Sequence, residues 1–440
     1  MASTKLSRTA GTPTSNKTFT ISYWVKRSNI GSAGNGHIFD TFVDSSNRSQ
    51  IHFDDDNVID FRLAVSGTNI GRLKTNRVFR DTSAWYHIVA SVDTTLGTAD
   101  DRVKLYINGV QETSFSTRVN PSINADFPMG GTHTLGAYGG GSNYFDGTLS
   151  HFHFTDGYAY TPSTFGESDS TSGIWKPKTA PSVTYGTNGF FLKFENSANM
   201  DLDSSPNNHT FTTGGTITQT QDTPSNNFAT LNPLHKGDTL TGFTFANGNN
   251  TITFGSTTYP YTFSTQAVSS GKWYAEFKVT ANPNDVSIGI SNGEKSPYLS
   301  HSQYDYAYVG SNGNVQSNQS GSSYGSALST NDILGVAMDL DNNRLFFSKN
   351  GTWQNSADPT SSTGAYTITA PSSTTNGVYH FAVGDFNSAA SSVQCNFGNG
   401  KFGTSSVASS NSDSAGLGLF EYSVPSGYYS LCTKNIKNYG

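Results

Sequence analysis

Two β-sandwiches in tandem, an all-β chain, are what three features of this sequence predict. Helix formers are scarce: Glu occurs only at 112, 167, 195, 276, 294 and 421, while Gly numbers 45 and aromatics make up 13% of the chain. That composition favours strands and turns over helices. Short apolar–polar alternations bounded by Gly and Asn recur along the chain. They fall into two blocks separated by residues 213–233, which are rich in Thr, Gln, Asn and Pro. A length of 440 residues suits two sandwiches of ~200–250 residues better than three domains of ~150. The expected division is a first domain over 1–225, a linker over 226–240 and a second domain over 241–440.

In the first block, residues 18–26 place Phe19, Ile21 and Tyr23 on one face of a strand. Residues 57–65 and 84–92 repeat the pattern. The run 102–107 meets Asn108-Gly109, the pair that a type I′ hairpin turn demands because both central residues need φ > 0. After the glycines at 139–141 comes the strand 147–154. Its alternation puts Phe152 and Phe154 inside and His151 and His153 on the outer face. Thr161-Pro162 opens one helical turn, with Pro at its first position.

In the second block, residues 271–279, 286–290, 332–340, 344–348, 380–384 and 393–397 read as strands. Asn350-Gly351 is a second hairpin turn. Cys395 alternates with Val393 and Phe397, which makes it a core thiol. The Ser-rich run 403–418 reads as an excursion loop. Both blocks hold a Trp-Tyr strand and an Asn-Gly turn, but the spacings differ: 23 residues from Trp85 to Asn108 and 77 from Trp273 to Asn350. The blocks are therefore two different sandwiches.

Charge and sequence pattern exclude several classes. Lys and Arg total 26 against 32 Asp and Glu, and no basic run exists, so nucleic acid is not an expected partner. No apolar run reaches the ~18 residues of a membrane span, and the N-terminus lacks a secretory h-region. The two cysteines, Cys395 and Cys432, do not make a disulfide scaffold. They are expected to be thiols of a protein made in a reducing cytoplasm, although one bridge between them is open. A virion component released by lysis would reach the outside of a cell without secretion. No heptads occur.

The first block resembles laminin-G-like, concanavalin-A-type jelly rolls. Residues 19–25, 85–88 (Trp-Tyr-His-Ile), 105–109 (Leu-Tyr-Ile-Asn-Gly) and 145–149, running to Tyr160-Thr161-Pro162, carry the resemblance. The stretch Phe191–Phe194 with Asp203–His209 precedes the sandwich in many relatives but follows it here; it is assigned to the first domain. The second block resembles SPRY domains at 271–276 (Gly-Lys-Trp-Tyr-Ala-Glu), 332–339 leading to 347–351, and 396–398 (Asn-Phe-Gly). The tandem, with 223–232 and 422–434, is similar to structural proteins of marine tailed phages. That resemblance implies a virion surface protein: a tail-fibre or spike component binding host surface glycan, or a capsid decoration protein whose contacts are other virion proteins. It also implies a homo-oligomer, with a trimer favoured.

Catalytic chemistry is not expected. Glucanases of the jelly-roll type place Glu-x-Asp-x-x-Glu on one strand, and that motif is absent from this chain. Asp54, Asp55 and Asp56 offer oxygens to Ca²⁺, but a turn of solvated charges is the simpler reading. A zinc site at His151 and His153 lacks a third ligand. No other cofactor is expected. Binding is expected in loops: Tyr138, Asn143, Tyr144 and Asp146 in the first block, and Tyr298, Tyr304, Asp305 and Tyr306 in the second. Tyr offers a flat apolar face and a polar tip, which suits stacking on a sugar, and Asn or Asp can bond its hydroxyls.

Overall fold

The computed structural model describes residues 4–30, 36–139, 141–170, 173–235, 242–255, 259–386 and 390–440. The chain divides into two compact units, Met1–Gln219 and Thr220–Gly440. The only α-helix among the described residues is Thr433–Tyr439. Everything else regular is strand or a single 3₁₀ turn, one of which, Pro162–Thr164, stands where Thr161-Pro162 predicts it.

The first unit is an antiparallel sandwich of an eight-stranded and a six-stranded sheet. In the larger sheet the order is Phe115–Val119, Thr68–Val78, Val58–Val65, Asn47–Phe53, Gly36–Asp44, Gly131–Leu135, Lys5–Ala10 and Thr212–Gly214. In the smaller it is Phe190–Leu192, Gly147–Asp156, Thr18–Arg27, Trp85–Asp93, Val103–Ile107 and Val110–Gln111. Alternation decides what lies between the sheets: Phe19, Ile21, Tyr23 and Val25 from one, Ile51, Phe53, Ile59, Phe61 and Leu63 from the other. Asn108 and Gly109 take φ of 49° and 83°, the type I′ conformation. The stretch after residue 190 belongs to this sandwich: Phe190–Leu192 pairs with Phe152–Phe154.

The second unit packs a nine-stranded sheet on a six-stranded one. Trp273, Ala275, Phe277 and Val279 point inward from the strand Lys272–Ala281, and Val336, Phe347, Phe381 and Cys395 meet them. Cys395 and Cys432 are both free and buried. Asn350-Gly351 makes the second hairpin turn, with φ of 49° and 79°.

Three expectations are corrected by tertiary packing. The stretch 226–235 is no linker: Phe228, Ala229 and Leu231 are buried, and Phe228 and Leu231 bridge to Cys432 and Ser264 of the second unit. Residues 236–240 lie outside the described residues. The boundary therefore falls at 219/220. The Ser-rich run 403–418 is not an excursion from the sandwich. It doubles back with Leu419–Phe420, and Phe402, Val407 and Phe420 bury themselves over the nine-stranded sheet beside Ile333, Tyr274 and Phe346.

His153 is not on a wet face either. It is buried, stacks on Phe191 at 3.8 Å between centroids and bonds the Tyr185 hydroxyl at 3.0 Å. Phe165, Trp175 and Tyr185 cover that side of the six-stranded sheet, against His153 and His87. A bulge between Ser150 and His153 also breaks the simple alternation, with His151 at φ 46°.

Candidate binding site

The strands of the eight-stranded sheet present a second, polar set of side chains on the face away from the core. Gln50 and His52, Asp60 and Arg62, and Arg72 and Lys74 occupy alternate positions of three adjacent strands. Their register sets His52 opposite Asp60 and Asp60 opposite Lys74. On the next strand His37 lies opposite His52 and Asp40 opposite Gln50.

These groups interlock. Asp60 is fully buried and accepts from Arg62 and Arg72, each through two nitrogens at 2.6–3.0 Å. Burial pushes its carboxyl up, but the two guanidinium groups win and hold it below its usual range. Asp40 is also buried, and burial keeps its carboxyl above the usual range against the hydrogen bond from His37. His37 and His52 stack in parallel, 4.6 Å apart. Burial holds His52 down to about 3, so its ring is neutral, and neither nitrogen has a partner among the described residues.

Residues 136–139 and 141–146 close over one side of this face. Gly136 N–H donates to the Ile38 carbonyl (3.0 Å), His37 N–H to the Asn143 carbonyl (3.3 Å) and Phe145 N–H to the Gly136 carbonyl (2.9 Å). Within the loop, Tyr138 N–H donates to the Ser142 carbonyl (2.8 Å) and Gly141 N–H to the Tyr138 carbonyl (2.7 Å). Gly139 N–H reaches Asp40 Oδ2 at 3.0 Å. Only glycine permits that approach, since a Cβ there would lie 2.5 Å from the Phe42 side chain.

The candidate residues of the first block therefore come together on one hydrogen-bonded loop. Asn143 is exposed; Tyr138, Tyr144 and Asp146 are half-buried. Tyr138 sets its ring edge against His37 (5.2 Å) and Phe42 (5.5 Å), with the Arg48 guanidinium 5.9 Å from its centroid. Asp146 gives its carbonyl to Ser28, and burial raises its carboxyl.

The second-block candidates do not form an exposed loop. Tyr306 is a strand residue opposite Ile290 and packs between the sheets, its hydroxyl bonding Thr369. Asp305 is fully buried. Tyr298 and Tyr304 stay half-buried at the edge of this region.

Asp54, Asp55 and Asp56 form the hairpin turn before Val58–Val65, and Lys74 bridges Asp54 (2.8 Å) and Asp56 (3.1 Å). His52, Asp54 and Asp60 bring one ligand atom each within 4.8 Å of one another. They fit a metal poorly, because Lys74, Arg62 and Arg72 already neutralise both carboxylates and would repel a cation. Nor does the Asp54–Asp60 pair suit glycoside cleavage: Lys74 and the two arginines hold both carboxyls below their usual range, so neither is kept protonated as the acid.

A Ser–His contact on the other sheet runs the wrong way for a nucleophile. Trp175 Nε1–H donates to His87 Nδ1 (2.9 Å), so His87 carries its proton on Nε2, towards Ser22 (2.9 Å). Such an imidazole cannot take the serine proton.

Sequence reading missed His37, Asp40, His52, Asp60, Arg62 and Arg72. The signal was present as polar residues at every second position of three consecutive strands.

Comparison with known proteins agrees with the fold. The profile of the concanavalin A-like lectin/glucanases superfamily matches residues 3–164, and that of the SPRY domain matches 272–398. Among solved structures, the SPRY domain of human HERC1 is 17% identical, covering 38% of this chain and 96% of its own, with a TM-score of 0.30. A human SPRY domain is 15% identical over 35% of this chain and 94% of its own, with a TM-score of 0.27. Stonustoxin is 15% identical over 38% of this chain and 27% of its own, with a TM-score of 0.28. No curated protein matches the chain.

Proposed function

We propose that this chain, a concanavalin-A-like domain followed by a SPRY domain, is a non-catalytic binding protein of a tailed-phage particle, and that its first unit recognises host surface glycan. The phage assignment rests on the resemblance of the tandem and of 223–232 and 422–434 to phage structural proteins. One observation carries the glycan contact: loop 136–146 holds Tyr138, Asn143 and Tyr144 by backbone hydrogen bonds to itself and to the sheet beneath. A loop already ordered loses little entropy on binding. It combines aromatic faces with an exposed amide, the pairing that recognises a sugar's apolar face and its hydroxyls.

Titration calorimetry of the chain against host-surface polysaccharide tests the reading. Binding is expected without release of new reducing ends. Turnover, or no binding to any host polysaccharide, refutes it. Antibody labelling of particles locates the protein: label on the tail supports a fibre or spike, and label on the head supports a decoration protein instead. The missing heptads favour a compact surface module over a long shaft. Sedimentation is expected to show a homo-oligomer, with a trimer favoured.

A further inference from the structure

We propose that Arg48, Arg62 and Arg72 form a binding site for the acidic groups, carboxylate or sulfate, of a polysaccharide lying across the outer face of the eight-stranded sheet. This rests on the glycan reading above and names the class of glycan. The starting point is how hydrogen bonds distribute charge on that face. At one end Lys74 is shared by two carboxylates, Asp54 at 2.8 Å and Asp56 at 3.1 Å. Asp40 feels the charge of Arg48, but its hydrogen bonds go to His37 and to the Gly139 N–H. In the middle the ratio inverts. Arg62 and Arg72 share the single carboxylate of Asp60. Arg48 bonds no carboxylate and donates only to Gln50 Oε1 at 3.0 Å.

The same bonds leave donors free. Arg72 turns one edge to Asp60, Nε to Oδ1 at 3.0 Å and Nη2 to Oδ2 at 2.6 Å. Arg62 uses the same edge, Nε and Nη2 both on Oδ2 at 2.8 and 2.6 Å. Nη1 of each, and both terminal nitrogens of Arg48, have no partner among the described residues. Arg102, also half-buried, shows the contrast: its Nε, Nη1 and Nη2 all donate, to the Leu96, Pro121 and Gly97 carbonyls. Both Nη2 atoms of Arg62 and Arg72 lie 2.6 Å from one oxygen, which brings the two groups together, and their side chains stay 26% and 24% exposed. Buried Asp60 holds them in place, so little ordering remains to be done when a ligand arrives. Register sets Gln50 opposite Arg62 and Arg62 opposite Arg72. At the other end the Arg48 guanidinium lies 5.9 Å from the Tyr138 ring centroid. The row therefore runs from the aromatic loop across three strands. A guanidinium fork matches the paired oxygens of a carboxylate or sulfate, beside a ring that suits the sugar itself.

The test is calorimetric titration of the full chain with three polymers: polygalacturonate, which carries carboxylates, dextran sulfate, which carries sulfates, and uncharged dextran. At least one acidic polymer is expected to bind at least tenfold more tightly than dextran, and more weakly as NaCl rises from about 50 to about 500 mM. The stronger of the two says which oxyanion the site takes. Arg48→Gln, which breaks no ion pair, should weaken that polymer at least fivefold. Arg62→Lys combined with Arg72→Lys keeps Asp60 neutralised but removes the forks, and should weaken it at least tenfold; circular dichroism checks that both variants fold. Unchanged affinity in both variants overturns the proposal, because it places the polymer elsewhere. So does binding of a neutral host-surface polysaccharide with neither acidic polymer bound, which leaves the glycan reading standing. No binding of any polysaccharide, neutral or acidic, defeats both.

Discussion

Replacing Glu276 by Gln should destabilise the second unit at acid pH and raise its stability relative to the wild type as pH rises. Glu276 projects from Lys272–Ala281 on the side away from the core, beneath the C-terminal segment. Its oxygens accept the backbone N–H groups of Glu421 and Tyr422, both at 2.8 Å, and the Tyr274 hydroxyl at 3.2 Å. Burial nonetheless pushes its carboxyl up to about 7 from the ordinary 4.5, opposed by those hydrogen bonds and reinforced by the charge of Glu421. The folded state thus holds this proton more tightly than the unfolded chain. Stability from this group is full below pH 4.5 and is lost as pH rises towards 7. A difference of about 2.5 units at ~1.36 kcal/mol each amounts to about 3 kcal/mol.

Gln is neutral like the protonated acid, but its NH₂ cannot accept, so one of the two N–H donors loses its acceptor at a cost of about 1–3 kcal/mol at every pH. Above that fixed offset, its stability relative to the wild type should rise by about 3 kcal/mol from pH 4 to pH 8. In a unit of this size that is roughly 6–12 °C in melting temperature. Calorimetric melting of both proteins from pH 4 to 8 reads the difference directly and cancels every other titrating group. A difference that stays constant with pH would refute the reasoning. It would mean that the two N–H donors outweigh burial and that the carboxylate is ionised throughout.

Other expectations follow from the same contacts. Tyr306→Ala should cost about 3–5 kcal/mol in the second unit by opening a core cavity without touching glycan binding. Tyr144→Ala should weaken glycan binding by about 1–3 kcal/mol with little change in melting; paired calorimetry and melting separate the two. Arg72→Ala should cost about 1–3 kcal/mol because Arg62 still holds Asp60, whereas removing both arginines should cost about 3–5 kcal/mol, read by urea unfolding. In the first unit, burial holds His52, His87 and His133 each down to about 3. The unfolded chain takes up protons first as pH falls below 6.5, so the first unit should lose stability through that range. Three groups make the slope up to about 4 kcal/mol per pH unit, measurable by urea titration at pH 7, 6 and 5.

Local pattern determined much of this protein. The alternation of Phe19, Ile21, Tyr23 and Val25 marks a half-buried strand because side chains on a strand point alternately to opposite sides. Asn108-Gly109 and Asn350-Gly351 mark hairpins because few other pairs accept two positive φ angles. The placing of Tyr138, Asn143 and Tyr144 in one loop follows from closeness in sequence. Tertiary structure alone decided which outward faces meet water. His153 alternates as an outer residue, yet Phe165 and Tyr185 cover it. Tyr306 has the same chemistry as Tyr138, yet a facing sheet encloses it. The polar face of His37, Asp40, His52, Asp60, Arg62 and Arg72 exists only once four strands lie in register. Alternation says which way a side chain points relative to its own strand. What lies above it is set by segments tens or hundreds of residues away, joined by contacts that no local window contains.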